Sequence, residues 1–489
     1  MTVPEPPPEP PAPRVRPFSD AVTAICTLLL VVGVIVSIVG SLDGGVYFQS
    51  FRQPLSVTAQ FFDRELELAE VPPSATWARP LVTFLAVPLP EVREMSIRGF
   101  QQALEAHRAG RIEATPEEVR LVEGRLALVL GEAGKKELLE DRLRSLAALG
   151  PKEAELAAVV RYAYGLSEEP PGPGQLEAVL PLLTDPARPG HSWATDRLAQ
   201  RTLARLGDAE QARAAEARGQ ERGSRALVRD LWLYGVLVAL VLVGLGVGLL
   251  WLVRRQQLPV LSSGVSAGPW SGTEGYAMTV RAIVFSQAGF LCVPYLGAAG
   301  LLLGFLLGWV PLMYYLTRRV PAAHGIQLVE LFGLRSRAPL RSLVLVTLLL
   351  IAVEQALTMG LGLAGRAFGE ERWYEGVMEE LMRGTPAEVA GLFLTAVVGA
   401  PLFEELAFRG LLYTSLRIRF GPWFSAVVSA ALFTLLHLYS VLGTLVLFTG
   451  AVVSALVYER TRSLLPSIIA HAVNNLWVVC TSLLVYRGA

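Results

Sequence analysis

Cysteine is scarce in this chain: three in 489 residues, Cys26, Cys292 and Cys480, each in an apolar segment. That argues against a disulfide framework or a thiolate metal site; the three read as small buried residues. Charge of one sign is also lacking, because 43 Lys and Arg balance 43 Asp and Glu. A neutral chain gives no electrostatic case for nucleic acid. No HExxH sequence occurs, so the usual zincin helix is absent. What is abundant is apolar: 52% of residues are hydrophobic and the mean hydropathy is +0.45. That is too apolar for an ordinary soluble protein and points to several membrane spans.

Composition shifts divide the chain. Residues 1–19 are a proline-rich tail, PEPPPEPPAPRVRP, expected to be extended and disordered. Residues 20–42 form an apolar run too long for a signal-peptide core, and read as a retained first span. Residues 43–230 are charged, with apolar positions at helical spacing and several segments closed by glycine. This predicts a soluble array of short antiparallel helices, without the fixed period of a repeat protein. EEPPGPG near residue 170 breaks it. A second span is expected at 231–253, a Gly/Ser-rich linker at 254–275, and a membrane-embedded domain over 276–489. Within that domain, spans are expected at 277–293, 297–316, 342–363, 389–415, 422–438, 441–458 and 464–486. The fold class is therefore all-α: a polytopic bundle of about nine spans with a soluble helical domain between spans 1 and 2.

The positive-inside rule orients this arrangement. With the N-terminus inside, Arg254 and Arg255, the Arg318–Arg341 loop, Arg417 with Arg419, and Arg460 with Arg462 all fall inside. The 365–388 loop, with six Glu against three Arg, falls outside. The 43–230 domain is then expected to be extracytoplasmic, in a bacterial inner or plasma membrane.

Ionisable groups are costly in hydrocarbon and usually mark a site or a pathway. They cluster here on three apolar segments: PLFEELAFRGLL with Glu404, Glu405 and Arg409, LFTLLHLYS with Phe433 and His437, and IIAHAVNNL with His471 and Asn475. Glu405 and Arg409 stand i, i+4 with the acid first, the favourable order for a helical ion pair. Glu404 is left without a local partner, about 100° around the helix. Phe433 with His437, and His471 with Asn475, each share a helical face. Glu404, His437 and His471 lie roughly 17, 23 and 11 Å from the inner helix ends, so all three fall within the hydrocarbon. Each signal alone has a bland explanation in packing or helix association. Together, on three helices, they favour a site.

EELAFRG matches the EExxxR motif of the CAAX protease and bacteriocin-processing family of intramembrane proteases. LFTLLH matches its FxxxH motif and HAVNN its HxxxN motif, in the right order. The chain resembles that family over roughly residues 325–486, beginning at ELFGL. The resemblance implies peptide hydrolysis by a water activated at Glu404, with His437 helping to hold the water. It implies that His471 and Asn475 stabilise the oxyanion, and that Glu405 and Arg409 hold the helix. Phe433 is expected to be structural. Family members have been described both as glutamic proteases and as metalloproteases. Glu404, His437 and His471 would be the zinc ligands, but Glu405 would then have to leave Arg409 to act as base. The metal-free reading is favoured, with no cofactor. The expected partners are a membrane-embedded or lipid-anchored protein or peptide substrate, the bilayer, and a protein bound by the 43–230 domain. The alternatives are a non-catalytic scaffold or immunity protein acting through that domain, and a proton-coupled transporter using Glu354, Glu404 and the histidines. Glu354 reads as a packing or cavity residue.

Overall fold

A computed structural model describes residues 18–43, 51–70, 88–176, 192–253, 269–292, 296, 298–335, 339–368, 377–437 and 439–487. Most of the proline-rich tail (1–17) and most of the expected linker (254–268) lie outside the described residues. In chain order the main helices are α1 (Asp20–Asp43), α2 (Pro54–Ala69), α3 (Leu89–Arg108), α4 (Pro116–Glu132), α5 (Lys136–Ala147), α6 (Pro151–Ala163), α7 (Trp193–Arg205), α8 (Ala209–Val253), α9 (Gly272–Phe290) and α10 (Ala298–Tyr314). They continue with α11 (Leu340–Phe368), α12 (Pro386–Arg417), α13 (Pro422–Leu435), α14 (Val441–Thr461) and α15 (Leu465–Arg487). No strand occurs among the described residues, so the all-α class stands.

Among the described residues five helices are long and apolar enough to cross a membrane: Ala209–Leu250, Leu340–Gly360, Pro386–Arg417, Val441–Thr461 and Leu465–Arg487. Asp20–Val36 and Pro422–Leu435 are apolar but shorter. The expected run 277–316 is two helices, α9 and α10. They pack antiparallel at very close range: a Cβ added at Gly289 would lie 2.3 Å from Gly304 Cα, and one at Gly308 would lie 2.7 Å from Ser286 Cβ. The expected start of span 2 at residue 231 is no helix boundary. α8 runs unbroken for 45 residues, because no proline interrupts the passage from its charged half to its apolar half.

The chain divides into two compact units. One comprises Gly45–Ala239, Gly376–Pro386 and Val478–Ala489. Its helices α2–α7 form the expected array of short helices. Thr115 and Glu118 close a reciprocal capping box at the start of α4, with Pro116 in the first turn. Gly110, Gly134, Gly165 and Gly207, all at φ between 65 and 86°, end α3, α4, α6 and α7 in left-handed turns. The core holds Phe62, Phe100, Leu126, Leu139 and Trp193. Gly99 lets Phe62 lie flat on α3, where any Cβ would collide with its ring. In the same unit Glu379 accepts hydrogen bonds from the Arg52 and Gln53 backbone N–H groups at 2.6 and 3.1 Å, and so caps α2 from outside it.

The other unit comprises Met1–Gly44, Leu240–Glu375 and Ala387–Trp477. Small residues again set its packing. A Cβ at Gly244 of α8 would overlap that of Ala352 on α11, so these two helices touch backbone to backbone. α12 is not a uniform α-helix. It winds in π-type turns over Leu394–Gly399 and again over Glu405–Tyr413. Three contacts hold its C-terminal end: Tyr413 donates to Glu459 at 2.6 Å, Arg417 forms a two-pronged pair with Glu459 at 2.9 and 3.2 Å, and Trp270 donates to Ser415 at 3.2 Å. Gly410 is required by the close approach of Phe332, a residue of the ELFGL segment. That segment also fixes the turn before α15, with Leu464 N–H donating to Phe332 O at 3.1 Å and Ser463 to Gly333 O at 2.7 Å.

Candidate active site

The four acid, base and cation groups of the first and third motifs converge. Glu405 is 1% exposed and pairs with Arg409 at 3.1 Å, as the i, i+4 spacing predicts. The same carboxylate oxygen also meets His471 Nδ1 at 3.2 Å, so Glu405 bridges α12 and α15 as well as its own turn. Glu404 is 23% exposed in its side chain, and its Oε2 lies 3.7 Å from His471 Nε2. In a regular α-helix two consecutive carboxylates diverge by about 100°. Here both reach one imidazole. The π-type winding that begins at Glu405 puts more residues in each turn and so narrows that divergence. Local π turns inside α-helices are frequent at functional sites.

Phe433 ties the motifs together. The Arg409 guanidinium lies over its ring at 4.6 Å, the His437 ring packs on it at 4.7 Å, and it meets the His471 ring edge-on at 6.4 Å. The expectation that His437 shares a helical face with Phe433 needs correction. α13 stops at Leu435, and His437 lies in the turn beyond. The reason is a C-terminal cap: His437 Nδ1 donates to the orphan Phe433 carbonyl at 2.8 Å. Because a carbonyl can only accept, Nδ1 is the donor in this contact, and Nε2 is left facing away from it.

Asn475 donates to the Ala396 carbonyl at 2.8 Å. Ala396 belongs to the first π-type stretch of α12, where regular i→i−4 bonding is lost. Asn475 therefore fastens α15 to the turn that precedes Glu404, and one of its two amide hydrogens remains for another acceptor.

Two groups on α11 join this neighbourhood. Glu354, read from sequence as a packing residue, lies within electrostatic range of His471, Glu405 and Arg409. Its signal in the sequence was an acid inside an apolar run. Gln355, which carries no such signal, donates to Asn474 Oδ1 at 3.1 Å. As arranged, no three His, Cys, Asp or Glu side chains among the described residues converge to hold a metal ion.

An acid–histidine cluster among apolar helices marks a functional site. Comparison narrows it: residues 386–477 match the family model of type II CAAX prenyl endopeptidase Rce1-like proteins. The matched stretch carries all three motifs, so the resemblance read from them stands. No curated protein and no solved structure matches the chain.

Proposed function

We propose that the protein is an intramembrane endopeptidase that hydrolyses peptide bonds in membrane-embedded or lipid-anchored substrates. The observation that carries this is the Glu404–His471 pair. Its 3.7 Å separation is too long for a direct hydrogen bond but accommodates a water about 2.8 Å from each atom. Glu405, occupied by Arg409 and His471, holds the frame and leaves Glu404 free to act.

In this reading Glu404 takes a proton from the water as its oxygen bonds to the scissile carbonyl carbon. His437 Nε2 helps to hold that water. The carbonyl oxygen becomes an oxyanion, stabilised by His471 and by the second amide hydrogen of Asn475. Collapse breaks the C–N bond, and Glu404 returns its proton to the leaving amine. The products are a carboxylate and an amine. No step is routed through a metal. Two imidazoles with Nδ1 engaged and Nε2 open are still a coordination-competent pair, so the test includes a chelator.

The test is cleavage of a lipid-anchored and transmembrane peptide library by the purified protein in lipid, for wild type and Glu404→Gln, with and without chelator. Cleavage lost in Glu404→Gln and kept in chelator is the expected result. Loss in chelator would turn the mechanism to a metal one, and cleavage surviving Glu404→Gln would overturn it. A scaffold acting through residues 43–230 would instead lose its biological function on deletion of that segment and keep it in Glu404→Gln.

A further inference from the structure

The family match begins at residue 386, yet α11 lies before it and brings two polar side chains to the site. In an apolar helix each is costly unless it has work to do. Gln355 is 1% exposed, and its amide donates across to Asn474, the neighbour of Asn475. Its own Oε1 is buried without a hydrogen-bond partner among the described residues. A buried polar group left half-satisfied is retained against a cost.

Glu354, one residue earlier, turns toward α14, its Cγ 3.8 Å from where a Cβ on Gly450 would stand. The apolar packing agrees with the Gln355 contact: Leu350 and Ile351 of α11 form a common core with Ala470 of α15, the residue before His471. α11 thus packs on the stretch of α15 that carries His471, Asn474 and Asn475.

We propose that Gln355 is a positioning residue of the hydrolytic site, acting through α15. It sets the rotation of α15 through Asn474, and so the aim of Asn475 and His471. The role rests on the endopeptidase reading. It extends the machinery to a helix that the motif-bearing segment does not include.

The experiment measures kcat and KM on a substrate cleaved by wild type, normalised to folded protein. Gln355→Asn is expected to lower kcat roughly 10- to 100-fold with KM unchanged, as a misaimed catalytic group does. Adding Asn474→Gln, which restores the combined length of the pair, should recover it. A merely structural role would lower folded yield and leave kcat per folded molecule unchanged, which would overturn the proposal. So would failure of the swap to rescue. Cleavage absent in wild type on every substrate would defeat the endopeptidase reading itself, and with it this role.

Discussion

Two glutamates, the buried Glu132 in the helical array and the half-buried Glu404 in the membrane unit, show what saturation does to a carboxylate. Glu132 is 1% exposed in its side chain and receives four donors: two from Arg201 at 2.9 and 3.2 Å, one from Arg93 at 3.1 Å and the Tyr164 hydroxyl at 3.1 Å. Arg93 also donates to the Glu132 backbone carbonyl at 3.0 Å. Nothing is left for chemistry, and the group serves to join α3, α4, α6 and α7. Glu404 has His471 at 3.7 Å as its nearest ionic partner. Beside it, Glu405 uses one oxygen twice and leaves Oε2 unbonded. A saturated carboxylate builds structure; an undersaturated one in hydrocarbon is available to act.

The sharpest way to break this comparison is to exchange the outcomes. Glu404→Gln should abolish cleavage, by roughly 10²- to 10⁴-fold for a general base, with little change in thermal unfolding. If unfolding shifts as much as activity, Glu404 is structural after all. Glu132→Ala should do the reverse. Stranding the four donor groups of Arg93, Tyr164 and Arg201 should cost about 3 kcal/mol of stability, read by denaturant unfolding of the array, with turnover per folded molecule retained. Asn475→Ala stands between them. It removes the proposed oxyanion donor and the strap on Ala396, and should lower kcat roughly 100-fold with a modest loss of stability.

A smaller effect is the pH dependence of the array. Burial pushes Glu132 up, but Arg201, Arg197 and Arg93 together pull it below the ordinary 4.5. The unfolded chain then binds more protons than the folded one, so this stabilisation is present above 4.5 and is lost as pH falls through the folded value. Glu67 and Glu70 behave oppositely: burial raises them, against Arg222 and Arg197 respectively. Their contribution is full below 4.5 and is lost as pH rises through the raised values. Unfolding temperature should therefore peak in the mildly acidic range, and Glu132→Gln should remove the fall on the acid side alone. The smallest effect belongs to Arg144, whose pairing with Asp141 at 2.5 Å is exposed on both sides. Arg144→Ala should leave the unfolding temperature where it is, because solvent screens such a pair.

Much of this was legible along the chain. Apolar runs, charged periodic helices and terminal glycines identify the elements, and the three motifs identify Glu404, Glu405, Arg409, His437, His471 and Asn475. What could not be read depends on contacts between segments distant in sequence. The π-type turns of α12 have no local signature, since the same residues would form a regular helix in isolation. The turn that holds His437 outside α13 arises from one side-chain cap. Gln355 is silent in sequence because a single amide in an apolar run has no period and no charge.

The sequence by itself determined the class of chain: all-helical, membrane-spanning, with a costly set of ionisable groups at motif spacing. Hydrophobicity and side-chain period are local properties, so they survive without a fold. Only the tertiary structure decided which carboxylate is saturated and which is open. Saturation depends on donors from other helices. Glu405 meets Arg409 within its own turn, but it meets His471 only because α15 is fastened to α12 by Asn475 and fixed at its start by Phe332 and Ser463.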